Sequence, residues 1–373
     1  MAAPVLIASE IYRRSTYGPK HPLAIPRVST TLDLIRALGW LAPGQYLDSP
    51  MASVPELQRF HDADYIAALQ RAEANQGIDP EDRERFRIGA DGNPVYREVF
   101  RRPATSAGGV ILAARMTAAA GGTVHVPGGG THHGMRAKAS GFCYVNDAVL
   151  GLLAWLDAGL TRILYLDIDA HHGDGVEIAF ADDARVTTLS IHEGGRWPFS
   201  GSAHAGPYAL NLAVPPGFND TEMRALLQGL VLPLIARLRP EAIMLQCGAD
   251  ALEEDPLARL SLSNNAHADF IAAVKDAAPR FILLGGGGYN PWTVARCWAR
   301  GWATLNGQAA PERLPPAAEA VLRGLSFHRA AGRNPPEHWF TTLADEPREG
   351  PVRAEVSALL AQPLPEIGQA VAW

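Results

Sequence analysis

Two aspartates and a histidine alternate in the segment Asp167-Ile-Asp-Ala-His171, directly after a short apolar run. On an extended chain, side chains two residues apart point to the same side, so Asp167, Asp169 and His171 would converge. Two carboxylates and an imidazole suit a divalent metal ion. A set with open coordination positions and no cysteine is typical of a catalytic site, and Asp250, after another apolar run, can add an oxygen ligand. A solvated acidic loop is the alternative interpretation.

Two adjacent histidines, His132 and His133, lie in a glycine-rich segment after a third apolar run. A neutral imidazole near a metal site can act as a general base and then as a general acid. Each histidine needs a partner that fixes its tautomer, and Asp167 and Asp174 are available for that task. We therefore expect acid–base chemistry here. The alternative is that one histidine is a metal ligand or a buried structural residue.

Tyr289 follows four consecutive glycines, Gly285–Gly288. A glycine run lets the backbone approach a substrate closely, and a phenol can donate a hydrogen bond to a developing oxyanion. Packing is the alternative role for this tyrosine. The run lacks the GxGxxG spacing of dinucleotide sites, and the chain has neither a P-loop nor a GxSxG motif, so these classes are not indicated.

The polar segments follow short apolar runs that predict buried strands. The runs are Val5–Ala8, Val124–Val126, Ile163–Leu166, Val186–Ile191, Ala242–Gln246 and Phe281–Leu284. Helical periodicity occurs between them, over Tyr144–Asp157, Thr221–Arg237, Asn265–Ala278 and Pro291–Leu305. This alternation predicts an α/β fold with a central parallel sheet flanked by helices on both faces. Ligands bind beyond the carboxyl ends of such strands, so four polar loops at that edge would form one pocket.

Composition limits the class of protein and of partner. Of 373 residues, 47% are hydrophobic and 19% are charged, which predicts a folded globular chain rather than a disordered one. A net charge of −6 argues against nucleic acid as a partner, because sequence-independent binding needs a basic surface. Three cysteines do not suggest a disulfide framework, and no apolar run is long enough to cross a membrane. Without a basic, apolar leader, a cytoplasmic location is expected, whereas the oligomeric state is not indicated.

We expect one catalytic domain over residues 1–373, with a core over about 5–305 and a peripheral segment, 306–373, packed on it. Ser53-Val-Pro-Glu56 has the pattern of a capping box that begins a helix. The charged, turn-rich stretch Gly77–Pro103 predicts a long surface loop. Short helices and loops are expected beyond residue 306, because few strong apolar periods remain there.

As a set, seven segments resemble the zinc-dependent histone deacetylase superfamily, close to its bacterial histone-deacetylase-like amidohydrolases and acetoin utilisation proteins. These segments are His21-Pro…Arg27, Phe60–Tyr65, Gly128–His133, Ser140–Asp147, Leu166–Gly175, Leu245–Asp250 and Leu284–Asn290. The resemblance implies an arginase/deacetylase-like fold. It also implies hydrolysis of an acyl group, acetyl in the first place, from a lysine side-chain amide.

The resemblance assigns roles to particular residues. It implies three ligands for one zinc ion, namely Asp169, His171 and Asp250. It implies a general base and acid (His133), a charge-stabilising neighbour (His132), orienting carboxylates for the pair (Asp174 and Asp167) and a carbonyl-polarising phenol (Tyr289). It implies a narrow acyl-lysine channel walled by Gly141, Phe142, Trp197 and Leu257, with Asp91 at the rim to hold the substrate backbone.

Members of the superfamily also bind potassium, which the resemblance extends to one or two structural sites here. One site by position comprises Asp167, Asp169, His171, Ser190 and Ile191. A second, outer site comprises Phe180, Asp183, Val186 and Tyr208.

Some positions depart from the pattern of the superfamily. Thr131 stands where several members carry a large hydrophobic residue, so the inner product cavity is expected to differ. The segment Arg196–Gly201 departs from the common Phe-Pro-Gly-Thr-Gly form. Leu257, where polyamine-selective members of one branch carry glutamate, favours acyl-lysine peptides. The sequence does not say which way the acidic run Glu253–Asp255 points.

The sequence leaves three rival functions open. Two are enzymes on the same fold. The first is an acetylpolyamine deacetylase or another small-molecule amidohydrolase, and the second is an arginase-like hydrolase. The arginase type needs a second metal and lacks the histidine pair and Tyr289. The third is a metal-dependent binding protein without turnover, which has no use for an acid–base pair.

Overall fold

Eight parallel strands form one sheet in the computed structural model, which describes residues 3–204, 206–329 and 332–364. They are β1 (Val5–Ala8), β2 (Tyr46–Asp48), β3 (Gly122–Val126), β4 (Ile163–Asp167), β5 (Val186–Glu193), β6 (Ala209–Val214), β7 (Ala242–Gln246) and β8 (Arg280–Leu284). Their order across the sheet is β2-β1-β3-β8-β7-β4-β5-β6. The predicted α/β fold with a central parallel sheet is confirmed.

Helices cover both faces of this sheet. In chain order they are α1 (Ile11–Arg14), α2 (Arg27–Ala37), α3 (Val54–Leu57), α4 (Ala63–Asn75), α5 (Pro80–Phe86), α6 (Arg101–Ala120), α7 (Asp147–Asp157), α8 (Asp174–Phe180), α9 (Asp220–Leu226), α10 (Leu232–Leu238), α11 (Asn264–Val274), α12 (Pro291–Leu305), α13 (Pro316–Arg323), α14 (His338–Thr341) and α15 (Ala354–Leu360). One apolar layer packs α2 and α9 to α12 against the sheet, and the other packs α4, α6 and α7. No helix of the described residues is long and apolar enough to cross a bilayer.

Burial on both faces explains why the central strands are uninterrupted apolar runs. Every residue of β4 and β7 is buried, including Asp167 at the end of β4. A strand covered by helices on both sides has no solvent-facing position, so it does not alternate between apolar and polar residues. The two strands that the sequence did not predict, β2 and β6, are the edges of the sheet. The three-residue β2 is half exposed, and Asn211 interrupts the apolar pattern of β6.

Local capping sets several helix boundaries. The predicted capping box at Ser53 and Glu56 is present and begins α3. The helix predicted from Tyr144 begins at Asp147 instead, because the Asn146 side chain accepts a hydrogen bond from Val149 N and caps the helix there. The helix predicted over Thr221–Arg237 is present as α9 and α10, joined by a π-helical turn over Leu227–Val231.

The prediction of a long surface loop over Gly77–Pro103 is wrong. This stretch contains α5 and the beginning of α6, and it buries Phe86, Ile88, Tyr96 and Val99 in the apolar core. These apolar residues are spaced too irregularly to suggest a helix or a strand. Each of them packs into the core as a separate contact, without forming the apolar face of a regular element.

The segment after residue 306 forms short helices and loops, as expected, over the part that the structure describes. It is tied to α12 by a buried ion pair, in which Arg296 Nη1 lies 2.7 Å from Asp345 Oδ1. The Arg296 guanidinium also donates to the carbonyl of Thr342 at 2.7 Å. These contacts support the expectation of a single domain, which stays a prediction. Residues 1–2, 205, 330–331 and 365–373 of that predicted domain lie outside the described residues.

Replacing Asp345 with alanine should destabilise the protein strongly. The change leaves the Arg296 guanidinium buried without its carboxylate, which costs about 3–5 kcal/mol of unfolding free energy. Urea denaturation followed by tryptophan fluorescence measures the loss. The matched control is Asp157→Ala, which removes an exposed pair with Arg59 and should cost no more than about 1 kcal/mol. Equal losses in the two variants would show that the buried pair does not hold the segment.

Candidate active site

Four neighbouring strands end at the same level, so their carboxyl ends lie side by side at one end of the sheet. Val126 of β3 pairs with Leu284 of β8, Leu284 with Gln246 of β7, and Gln246 with Asp167 of β4. The loops that leave these ends carry the histidine pair, the glycine run with Tyr289, and the aspartates and histidine with metal-ligand character. The register of the sheet therefore brings together residues that lie more than 150 positions apart in the chain.

Asp169, His171 and Asp250 form a buried cluster whose ligand atoms all lie within 4.8 Å of one another. His171 Nδ1 is 2.9 Å from Asp250 Oδ2 and 3.4 Å from Asp169 Oδ1. The strand β4 ends at Asp167, so the alternation of an extended chain is not what makes these side chains converge. A tight turn does so instead, in which His171 N donates to Asp169 Oδ1 at 3.0 Å and Ala170 N donates to Asp250 Oδ1 at 3.0 Å.

Glycines on two loops make room for these carboxylates. A Cβ added at Gly287 would lie 1.9 Å from Asp250 Oδ2, and one added at Gly248 would lie 2.0 Å from Asp169 Oδ2. Any larger residue at either position would push a carboxylate out of place. The donor set is one imidazole and two carboxylates, which suits zinc at a catalytic site.

The charge of the cluster also favours a cation. Burial lowers the pKa of His171, but the carboxylates of Asp250 and Asp169 outweigh burial and raise it to about 10. A group that draws a proton so strongly lies in a strongly negative potential. A divalent cation is attracted to the same potential and neutralises both carboxylates. The residues present therefore fit a zinc ion.

Each histidine of the pair is held by the carboxylate expected for it. His132 Nδ1 lies 2.7 Å from Asp167 Oδ2, and His133 Nδ1 lies 2.8 Å from Asp174 Oδ1. The two ring centroids are 3.9 Å apart and both side chains are buried. With Nδ1–H donating to a carboxylate, the Nε2 atom of each ring is left to act on a substrate. The sequence did not reveal Tyr165, whose hydroxyl donates to Asp167 Oδ2 at 2.8 Å and fixes that carboxylate.

The surroundings push the pKa values of the two histidines in opposite directions. Burial and the positive charge of the neighbouring His132 lower the pKa of His133 to about 4. Burial also lowers the pKa of His132, but the carboxylates of Asp167 and Asp169 outweigh it and raise the value to about 9. These shifts favour the neutral, proton-accepting form of His133, and the carboxylates around His132 favour its protonated form.

Tyr289 is buried beside the cluster, and its backbone N–H donates to Asp255 Oδ2 at 2.6 Å. Burial and the charges of Asp250 and Asp169 raise the pKa of this phenol well above 10, so it stays protonated and can donate a hydrogen bond. Asp255 also accepts from Leu257 N at 2.8 Å and thereby joins the two loops. The acidic run Glu253–Asp255 was visible in the sequence, but the inward orientation of Asp255 was not.

The five residues expected around the channel all line one open pocket of about 640 Å³ at the mouth of the site. They are Asp91, Gly141, Phe142, Trp197 and Leu257. The ring of Trp197 lies edge-on to His133, with centroids 4.6 Å apart. A Cβ at Gly141 would lie 2.3 Å from the Trp197 ring, so glycine keeps this wall in place. The carboxylate of Asp91 is at the rim, where it accepts a hydrogen bond from Arg87 Nε at 2.6 Å.

The acidic run beside the channel does not offer free carboxylates to the mouth. Glu253 and Glu254 both pair with Arg348 of the C-terminal segment, at 2.7 and 2.8 Å. Asp255 is buried under Tyr289. The mouth itself is lined by the exposed Arg259.

The residues expected to bind potassium fall in two places. Ser190 of β5 is the register partner of Asp167 at the end of β4, and Ile191 follows it, so the first set surrounds the carboxyl end of β4. The second set lies near the amino end of β5, at the end of the sheet opposite to the histidine pair. It comprises Phe180, Asp183, Val186 and Tyr208. Both potassium sites stay predictions.

Comparison with known proteins gives consistent matches along the chain. A family model described as "Histone deacetylase domain" matches residues 21–305. Histone deacetylase 9 of Arabidopsis thaliana is 36% identical over 309 residues, which is 80% of this chain and 72% of that protein. Acetoin utilization protein AcuC of Bacillus subtilis is 33% identical over 328 residues, 84% of either chain. The chain covers 60–65% of the length of three further histone deacetylases from plants and a nematode.

A solved structure shares the whole fold. The crystal structure of an HDAC homologue from Aquifex aeolicus superposes with a TM-score of 0.91 at 35% identity, over 96% of this chain and 99% of that one. A crystal structure of an HDAC homologue complexed with SAHA matches to the same extent.

Replacing Asp250 with alanine should abolish stoichiometric zinc binding. Removing one of two carboxylate ligands should weaken zinc affinity at least about 100-fold, because the loss of an outer-shell partner alone costs 10- to 100-fold. Competition against a chromogenic chelator measures the affinity of the purified variant. Tyr289→Phe is the control, since it lies beside the cluster without offering a ligand, and it should bind zinc like the parent. A fully loaded Asp250→Ala protein would contradict the assignment.

Proposed function

The chain belongs to the histone deacetylase family and is a deacetylase, and we propose that it hydrolyses acetyl-lysine amides with a zinc ion held by Asp169, His171 and Asp250. The observation that carries this proposal is the convergence, in one pocket, of that cluster with two carboxylate-held histidines and a protonated phenol. Each of these groups has a distinct use in hydrolysing an unactivated amide.

Zinc, when bound, supplies Lewis-acid activation of the amide carbonyl and of the attacking water. His133 is neutral, and its Nδ1 is held by Asp174, so its Nε2 can take the proton from water as the new C–O bond forms. The same imidazole then returns that proton to the lysine amine as the C–N bond breaks. The products are a free lysine side chain and acetate.

Charge on the tetrahedral intermediate is stabilised by two further groups. Tyr289 donates a hydrogen bond from its phenol to the developing oxyanion, because its raised pKa keeps it protonated. His132, whose Nδ1 is held by Asp167, adds electrostatic stabilisation to the same site. The two histidines, each held by its own carboxylate, would therefore divide proton transfer and charge stabilisation between them.

The mouth of the site favours an acyl-lysine side chain of a peptide or protein over a polyamine. A polyamine carries additional ammonium groups, which a selective site pairs with free carboxylates. Leu257 lines the mouth with apolar surface, and Arg259 adds a positive charge there. Glu193 also lines the pocket, but Arg196 holds its carboxylate at 2.6 Å. The lysine stem, which is apolar, fits this lining.

The rival functions find less support. An arginase-like enzyme needs a second metal, and within the described residues only one three-ligand cluster is present. A binding protein without turnover would not need the His133–Asp174 pair or the buried Tyr289. Potassium at the two predicted sites would be structural, and at the first site it would lie next to the catalytic residues, because that set shares Asp167, Asp169 and His171 with them.

Replacing Tyr289 with phenylalanine should lower kcat for an acetyl-lysine peptide by about 10²–10³, the effect of removing one oxyanion donor. The shape of the side chain is kept and zinc content should not change. Steady-state kinetics on zinc-loaded protein measures kcat. Tyr46→Phe, which removes a hydroxyl at the distant edge of the sheet, is the matched control and should stay within about twofold. A Tyr289→Phe enzyme as active as this control would reduce Tyr289 to a packing residue.

Acetyl-lysine peptides should outcompete acetylputrescine and acetylspermidine in kcat/KM by at least about tenfold, because Arg259 repels the extra amines. All substrates are compared on one enzyme preparation. Arg259→Glu should shift the ratio toward the polyamines, and Arg196→Gln serves to test whether release of the Glu193 carboxylate has a similar effect. A tenfold preference of the parent for an acetylpolyamine would reject the lysine-peptide proposal and favour the polyamine alternative.

A further inference from the structure

A small inner cavity of about 60 Å³ continues inward from the zinc cluster, away from the mouth. Asp169, His171 and Tyr289 line its catalytic end. Two arginines, Arg27 and Arg102, line it as well, and both side chains are partly buried. The acyl group of a substrate would reach this cavity, because the scissile carbonyl must lie beside Tyr289.

Neither arginine has a carboxylate partner among the described residues. Arg27 Nη1 donates to the carbonyl of Gly286 at 2.6 Å, and its guanidinium lies over the ring of Trp298. Arg102 Nη1 donates to the carbonyl of Ser15 at 2.8 Å. The Arg102 guanidinium also lies over the rings of two tyrosines, Tyr12 and Tyr17. Carbonyls and ring faces orient these cations without pairing either of them with a carboxylate.

The nearby carboxylate of Asp147 is fully engaged elsewhere. It accepts hydrogen bonds from Ser106 Oγ at 2.5 Å and from the backbone N–H groups of Gly130 and Thr131 at 2.9 and 3.0 Å. The buried Arg296, by contrast, has a carboxylate of its own, that of Asp345. Two guanidinium groups in one desolvated cavity repel each other and are costly unless an anion joins them.

The size of the cavity limits that anion. The cavity, at about 60 Å³ including its catalytic end, has room for a short acyl tail only. Guanidinium groups bind carboxylates with paired, charge-assisted hydrogen bonds. An acyl chain that ends in a carboxylate one or two carbons beyond the scissile carbonyl would bring such a group into the cavity.

We propose that the enzyme also removes short dicarboxylic acyl groups, malonyl or succinyl, from lysine, with Arg102 and Arg27 binding the distal carboxylate. The inference rests on the proposed function, since it uses the same hydrolysis. Water adds to the acyl carbonyl, the amide C–N bond breaks, the proton returns to the lysine amine, and the dicarboxylic acid leaves. Arg102 is a specificity residue, because it contacts the acyl tail and not the reacting atoms.

The test compares one peptide sequence that carries acetyl-, butyryl- or succinyl-lysine, on the zinc-loaded full chain. Butyryl has the same chain length as succinyl but lacks its terminal carboxylate. The succinyl-to-butyryl ratio of kcat/KM therefore isolates the effect of that charge. That ratio should be at least about 10 in the parent, the value of one charged hydrogen-bond pair. Arg102→Gln should lower the ratio about tenfold or more, while Arg102→Lys, which keeps the charge, should retain part of it.

The matched control is Arg101→Gln, on the preceding residue of the same helix. Arg101 is exposed and pairs with Glu73, so its loss should leave the ratio within about twofold of the parent. A second readout needs no turnover. Isothermal titration calorimetry should show succinate binding at least about tenfold tighter than acetate or butyrate, and Arg102→Gln should remove this difference.

The outcomes separate the inference from the function on which it rests. Cleavage of acetyl-lysine with a succinyl-to-butyryl ratio near or below 1 overturns the inference and leaves the proposed function intact. Equal binding of succinate and acetate shows that the arginines only receive the released acid, which also overturns it. If no acyl-lysine peptide is cleaved, the proposed function fails, and the calorimetric comparison then decides whether the cavity selects a distal carboxylate.

Discussion

Two carboxylates buried side by side, those of Asp169 and Asp250, are the constraint on which the rest of the site depends. Burial raises the pKa of Asp250, and the charge of Asp169 raises it further, so the pair is costly without a cation between them. The protein reduces this cost with backbone donors, among them Gly287 N at 2.6 Å from Asp169 Oδ2. Such close approach is possible only because the loop residue has no side chain. The fit of the cluster to a cation, the glycine run and the level ends of the strands therefore all serve to hold two carboxylates close together in a buried site.

The same negative charge separates the roles of the two histidines. Both are buried and both have a carboxylate on Nδ1, so local chemistry alone would make them alike. His132 Nε2 lies 3.9 Å from Asp169 Oδ1, and the carboxylates of Asp167 and Asp169 raise the pKa of His132. Burial and the charge of His132 lower the pKa of His133. In the proposed mechanism, adjacent positions of one loop therefore supply an acid–base residue and a charge-stabilising residue.

The sequence predicted the parts of the fold and site that depend on buried apolar runs and on the polar residues directly after them. β4 and β7 were recognisable because burial on both faces leaves no room for alternation, and Asp169, His171 and Asp250 stood directly beyond them. The features that it could not predict depend on long-range contacts. The inward orientation of Asp255, which Tyr289 N fixes from a distant loop, has no local signature. The position of Arg102 in the inner cavity is set by the rings of Tyr12 and Tyr17, which belong to another part of the chain.

The C-terminal segment pairs with acidic residues beside the channel, although it lies at the periphery of the fold. Its Arg348 holds Glu253 and Glu254, the two residues that precede the buried Asp255 on the loop that flanks the channel. This arginine acts as an internal counterion, and it keeps two negative charges from contributing to the field at the entrance. If the channel selects substrates by charge as proposed, a peripheral helix-and-loop segment would contribute to that selectivity. Lengthening, trimming or replacing that segment in evolution would change the preferred substrate charge without altering a single residue of the catalytic pocket.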